Sequence, residues 1–179
     1  MIQQKNVRTM QGCEHCGNLF EGFLPLGFNP DIDKSDVEAI LGNDKGLYLI
    51  EVKALGREIV GDNTFIQSIL SGRVPTWIIQ SIKTRDVNPL IKHQANHDCT
   101  VIDIGRAKGK KKTLYKRFMD LLTGAHTNRN SLWIMIEHGW TWEFWYLKNP
   151  PGKVLDDHVL IDEYKKRHGT RKPYLNRKT

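Results

Sequence analysis

Between Trp140 and Leu147 the chain reads Trp-Thr-Trp-Glu-Phe-Trp-Tyr-Leu, with Trp140, Trp142, Phe144 and Tyr146 at every second position. Successive side chains of a strand point to opposite faces, so this spacing lines one face of a strand with four large aromatics. Such a face has to be covered by a second layer, which favours a sheet packed against helices. Leu132–Ile136, separated from the aromatic run by His138-Gly139, is expected to pair with it as a hairpin.

A second strand is expected from Leu47 to Ala54, opened by Gly46. Tyr48, Ile50 and Val52 share one side of it; Leu47, Leu49, Glu51 and Lys53 share the other. Thr100 to Ile104 predicts a third strand, on which Asp103 projects opposite to Ile102 and Ile104. Helix signals fall at three places. Ser35, with Glu38 three residues on, predicts a cap for a short helix that stops at Gly42. Thr113–Leu122 carries the stripe Leu114, Phe118, Leu121 and Leu122. After the Asn149-Pro150-Pro151-Gly152 break, a last helix is expected over roughly Leu155 to His168. Phe65–Leu70 reads as a short helix, Val74–Ile82 as a further strand, and Met1 to about Pro30 as an irregular arm. The expectation is one α+β domain with a small mixed or antiparallel sheet flanked by helices. Residues 1–45 would form an N-terminal extension, and residues 46–179 a core with an insertion at about 56–98.

Twenty-seven Lys and Arg against twenty Asp and Glu leave a formal charge of +7. That balance favours polyanionic partners, because cations set against phosphates release counterions. Gly105 to Lys112 is expected to be a loop whose Arg106, Lys108, Lys110, Lys111 and Lys112 could track a phosphate backbone. No run of about 18 apolar residues exists, and the first residues lack the apolar segment of a secretory signal. Three cysteines do not make a disulfide framework, so a reducing cytoplasm is the expected location. Cys13-x-x-Cys16 followed by Gly17 has the form of half a zinc site, for which His93, His97 and Cys99 are the candidate completing ligands.

At about 100° per residue, Leu160, Ile161, Tyr164 and His168 fall on one stripe of the last helix, and Asp157 lies on the same stripe one turn earlier. A carboxylate there needs a hydrogen bond, a cationic partner or a metal to offset its desolvation. Arg117 borders the apolar stripe of its own helix, where its forked donors can lean toward an anion.

The ordered set Gly46-Leu47-Tyr48, Ile104-Gly105-Arg106, Arg117, Asp157 and Asn176 resembles the GIY-YIG nuclease superfamily over Gly46 to Asn176. Asp103 stands at the second motif tyrosine, and Asp157 at the metal-binding glutamate. An alternative placement takes Ile59-Val60-Gly61 as the second motif strand, but no arginine helix follows Gly61. The resemblance implies metal-dependent hydrolysis of DNA, double-stranded by preference, in a restriction or phage-related setting. Asp157 would hold Mg²⁺ or Mn²⁺, and Arg117 with Arg106 would stabilise transition-state charge. Tyr48 and Asp103 would place or activate water, and Asn176 would buttress the site. A homo-oligomer is compatible with this reading. Two alternatives stay open. One is a nucleic-acid-binding protein that kept the fold and lost the chemistry. The other is a PD-(D/E)xK nuclease built on Asp33 (or Asp31), Glu51 and Lys53.

Overall fold

The computed structural model describes residues 13–28, 31–54, 99–109, 111–123, 132, 136, 139–173 and 175–176. In chain order the elements are β1 (Leu24–Gly27), α1 (Lys34–Leu41), β2 (Gly46–Ala54), β3 (Val101–Ala107), α2 (Leu114–Thr123), β4 (Thr141–Lys148) and α3 (Asp157–Arg167). The fold is α+β, with a four-stranded sheet in the order β1-β4-β2-β3 and every neighbouring pair antiparallel. Among the described residues no helix is long and apolar enough to cross a membrane. The expected elements at Phe65–Leu70 and Val74–Ile82 lie outside the described residues.

The alternation in β2 is realised in full. Tyr48, Ile50 and Val52 join Val37 and Leu41 of α1, Leu114, Phe118 and Leu121 of α2, and Trp142, Phe144 and Tyr146 of β4. Leu47 and Leu49 join Trp145, Ile161 and Tyr164 of α3, and Phe20, Phe23 and Cys16 of the preceding segment. Each face of the sheet therefore has its own core. Burying one large apolar side chain contributes on the order of 1.5–3 kcal/mol. Trp145, Phe118 and Phe144 are fully buried. Phe28 stacks on Trp142 at 4.5 Å. That stack fastens the residues after β1 to the aromatic face of β4.

Four local expectations are corrected. Asp33, rather than Ser35, caps α1, because its carboxylate accepts the Ser35 amide at 2.8 Å. The carboxylate thereby satisfies one of the free amides at the helix start. Leu24–Gly27, within the expected irregular arm, is strand β1. Leu132 and Ile136 have helical backbone, so no hairpin joins them to β4. The two sides of β4 are taken instead by β1 and β2. Finally, Gly105, Arg106 and Ala107 belong to β3 rather than to a loop, because they pair with Tyr48, Leu47 and Gly46.

A fifth correction concerns Ile102, expected on the side of Ile104. Ile50 pairs with Asp103 and Glu51 with Val101, so Ile102 is the extra residue of a β-bulge. A bulge shifts the alternation by one position. Ile102 consequently packs in the core of Tyr48, whereas Ile104 packs in the core of Leu49. Asp103, directly opposite Ile50, shares the face of Tyr48 and Ile102.

Two features hold β3 in register. A side chain on Gly105 would enter the van der Waals shell of the Tyr48 ring and hydroxyl, so only glycine lets that ring lie across the strand. Beyond β3, Leu175 N–H donates to Ile102 O at 2.7 Å. The Asn176 amide accepts from Ile104 N–H at 2.9 Å and donates to Ile104 O at 2.6 Å. Gly105→Ala is expected to lower unfolding free energy by about 1–3 kcal/mol through overpacking. Asn176→Ala is expected to cost about 1–2 kcal/mol for two lost hydrogen bonds. At Gly27 an added methyl would meet nothing within 4 Å. Gly27→Ala is accordingly expected to change stability by less than about 0.5 kcal/mol. Urea denaturation at constant slope checks all three; a Gly105→Ala midpoint equal to wild type would refute the packing argument.

Candidate functional site

The register that sets Tyr48 against Gly105 also fixes what surrounds the Tyr48 hydroxyl. The ring stacks on Phe144, with centroids 5.5 Å apart and planes 11° from parallel. Asp103 follows on the same face of β3, and α2 crosses that face carrying Arg117 and Asp120. Asp157 arrives from the first turn of α3. Burial pushes the Tyr48 hydroxyl well above the usual tyrosine range. The Asp103 charge pushes it further, Arg117 opposes, and Asp157 and Asp120 add to the rise. Charges from β3, α2 and α3 thus act on the hydroxyl that β2 carries. The resemblance grouped Tyr48, Asp103, Arg117 and Asp157; the last three, with Asp120, are the charges that act on the Tyr48 hydroxyl.

The cations are used unequally. On β3, Arg106 lies opposite Leu47 and so faces α3. Its Nε is 2.9 Å from Asp157 Oδ1, and its Nη1 is 3.2 Å from Asp156 Oδ1. The Arg106 Nε and Asp157 Oδ1 atoms are buried, and their contact lacks the direction of a hydrogen bond. Asp156 caps α3 by accepting the His158 amide, which holds its carboxyl below the usual range. Lys116 pairs with Asp120 at 2.9 Å. Arg117 makes no ion pair among the described residues, and its Nε is buried without a hydrogen-bond partner. Asn176 is a positioning residue on the backbone of Ile104. Lys108, Lys111 and Lys112 are exposed just after β3, and Lys110 lies outside the described residues.

Glu51 and Lys53 meet on the opposite face. Glu51, 3% exposed, accepts from Trp145 Nε1 at 2.9 Å, Lys53 Nζ at 2.8 Å and Thr100 Oγ1 at 3.1 Å. Lys53 also pairs with Glu143 at 3.0 Å and lies over the Trp145 ring. Asp33 is exposed and engaged with Ser35, and α1, which it caps, packs on the other side of the sheet. The geometry supports a structural role for Glu51, with its acceptors already filled.

A separate cluster gathers sulfur and imidazole. Cys13 and Cys16 come from the segment before β1, Cys99 from the approach to β3, and His168 from the C-cap of α3. The Sγ atoms of Cys13 and Cys16 are 3.7 Å apart, and those of Cys16 and Cys99 are 3.5 Å apart. His168 Nε2 lies 3.0 Å from Cys13 Sγ and 3.6 Å from Cys16 Sγ. Hydrogen bonding from Cys16, opposed by burial and aided by Tyr164, pulls the Cys99 thiol down to about 5. The Cys16 thiol is driven up, first by its hydrogen bond to Cys99 and then by burial. The sequence singled out three of these donors but took the fourth from His93 or His97, which lie outside the described residues. The signal for His168 was its place on the stripe of Ile161 and Tyr164, which turns it toward the sheet.

No protein-family model matches this chain, and no curated protein and no solved structure matches it.

The Tyr48 environment yields a pH prediction. An unfolded tyrosine ionises near pH 10, whereas folded Tyr48 holds its proton to higher pH. Above about pH 10 the unfolded chain therefore binds fewer protons than the folded one, and stability falls as pH rises; below that value the contribution is complete. Tyr48→Phe is expected to flatten part of this alkaline decline. The check is the urea midpoint of both proteins between about pH 9 and 11; parallel declines would refute the assignment.

Proposed function

We propose that this protein is a metal-dependent endonuclease hydrolysing DNA phosphodiester bonds, on a core resembling the GIY-YIG nucleases. The observation that carries the proposal is that Asp103 of β3, Arg117 of α2 and Asp157 of α3 each act electrostatically on the buried Tyr48 hydroxyl, Asp157 from beside Arg106. Phosphodiester hydrolysis needs a cation at the developing phosphorane charge, a group to place water, and a carboxylate for a divalent ion. Arg117, half-buried with an unpartnered Nε, supplies the first. Tyr48 and Asp103 are the pair for the second: the hydroxyl donates and the carboxylate accepts a proton. Asp157 suits the third in donor type, because its Oδ1 is buried without a directed hydrogen bond and Asp156 stands beside it. A bound Mg²⁺ or Mn²⁺ would polarise the phosphate and balance the charge of the leaving oxygen. Lys108, Lys111 and Lys112 would hold the backbone of the substrate.

A second reading is a nucleic-acid-binding protein of the same architecture without the chemistry. It is favoured by the exposure of Tyr48 and Asp103, only 4% and 2%, and by Arg106 already balancing Asp157.

Plasmid cleavage with Mg²⁺ or Mn²⁺ against an EDTA control decides between them. The endonuclease reading expects metal-dependent nicking that falls by about 10²-fold or more in Arg117→Ala. Asp157→Ala is expected to abolish it, with duplex affinity nearly unchanged in both variants. Lys111→Ala/Lys112→Ala is expected to weaken binding across sequences and to reduce the salt slope by about 2. Binding without cleavage would establish the second reading, and absence of both would overturn the two together.

A further inference from the structure

We propose that Cys13, Cys16, Cys99 and His168 bind one zinc ion in a closed, structural Cys₃His site. The argument is independent of the nuclease reading. The four donor atoms lie within 4.8 Å of one another, although Cys16 and Cys99 are 83 residues apart and Cys13 and His168 155 apart. Their spacing has the dimensions of a zinc tetrahedron. With Zn–S about 2.3 Å and Zn–N about 2.0–2.1 Å, the tetrahedral edges are about 3.8 Å for S···S and about 3.6 Å for S···N. Two of the three S···S separations are 3.7 and 3.5 Å and two of the three S···N separations 3.6 and 3.0 Å, and the other two edges are no longer than 4.8 Å.

A disulfide does not account for this arrangement. Sulfur atoms bonded to each other sit about 2.05 Å apart. All three cysteines here are free. Simple core packing does not account for it either, because it gives no reason for an imidazole nitrogen to point at two thiols. The His168 ring is prepared as a ligand. Its Nδ1 donates to Tyr164 O at 2.8 Å, which leaves the Nε2 lone pair directed at the sulfurs. Such a bond from the other ring nitrogen is how a protein fixes the tautomer of a ligating histidine. Tyr164 stacks on the ring at 3.8 Å and 9° and fixes its plane. The Cys-x-x-Cys turn is also shaped for the task. Cys16 N–H donates to Cys13 O at 2.9 Å, and Arg167 Nη1 donates to Cys16 O at 2.6 Å. Gly17 takes the left-handed conformation, with φ 51°. Glycine enters that region without steric cost. Four protein donors leave no open position, so the site is structural rather than catalytic. Its ligands tie the segment before β1 to the start of β3 and the end of α3, so binding is coupled to the folding of all three.

The test uses the full-length, untagged chain. Elemental analysis is expected to find one zinc per chain, and removal by a chelator to lower the melting temperature by about 10 °C or more. Cobalt exchanged into the wild-type protein is expected to give visible absorption of a tetrahedral ion with strong thiolate-to-cobalt charge transfer. His168→Gln and Cys16→Ser are expected to lose the metal, while His97→Gln keeps it. Should the first two variants misfold, the wild-type cobalt spectrum and chelator shift stand as independent readouts. Absence of stoichiometric zinc with an unmoved melting temperature would overturn the proposal. So would a cobalt spectrum without thiolate charge transfer, iron in place of zinc, or loss of metal in His97→Gln but not in His168→Gln.

Discussion

Strand β2 has no face and no edge left to solvent along most of its length. Its neighbours β3 and β4 take its backbone hydrogen bonds, and its side chains from Gly46 to Val52 are buried on both sides. An antiparallel strand in a small protein commonly keeps one wet face. Here α1 and α2 cover one side, and α3 with the cysteine-bearing segment covers the other. Any polar group placed on either side must find its partner inside the protein. Glu51 does so on one side with Trp145, Lys53 and Thr100; on the other, the Asp103 and Arg117 charges act on the Tyr48 hydroxyl.

This constraint explains why the two clusters have different chemistry. The side under α2 combines hard carboxylate oxygens with an arginine and a phenol, a set suited to phosphate and divalent ions. The side under α3 combines soft sulfurs with an imidazole, a set suited to zinc. Strand β3 serves both, since Cys99 lies just before its first residue and Asp103 lies within it. The bulge at Ile102 makes this possible. Without the extra residue, Val101 and the approach carrying Cys99 would fall on the same side of the sheet as Asp103, away from Leu49 and Cys16.

Much of the scaffold was legible in the sequence because period-two and helical stripes record burial directly. The faces of β2 and β4, the stripe of α2 and the glycine stop of α1 follow from them. The pairing of β4 did not, because alternation shows that a strand has a buried face but not which strand lies beside it. A turn signal at Gly139 suggested the nearest neighbour in sequence, whereas the actual neighbours come from residues 24–27 and 46–54. The side taken by Ile102 was misread for a related reason: a bulge depends on two strands at once and leaves no trace in one. Among candidate site residues, chemistry was easier to read than position. Arg117 and Asp157 were chosen for their place on helix stripes and Tyr48 through the motif resemblance, and both charges act on the Tyr48 hydroxyl. His168 was visible as a stripe residue, yet its role emerged only when the end of α3 met the cysteines.

The side-chain amide of Asn176 is chemically a peptide group, and on Ile104 it behaves as one, donating and accepting like a residue of a neighbouring strand. With Leu175 bonded to Ile102, the last described residues form a minimal fifth strand built from one backbone and one side chain. An uncovered strand edge is a template for another chain, and this short clasp removes the template at β3. The opposite edge is β1, four residues long with a proline at its second position, a poor surface for strand addition. Among the described residues, few atoms thus guard either edge of the sheet against recruitment. Shortening the C-terminus by a handful of residues would therefore alter how the protein behaves toward copies of itself before it altered the cores.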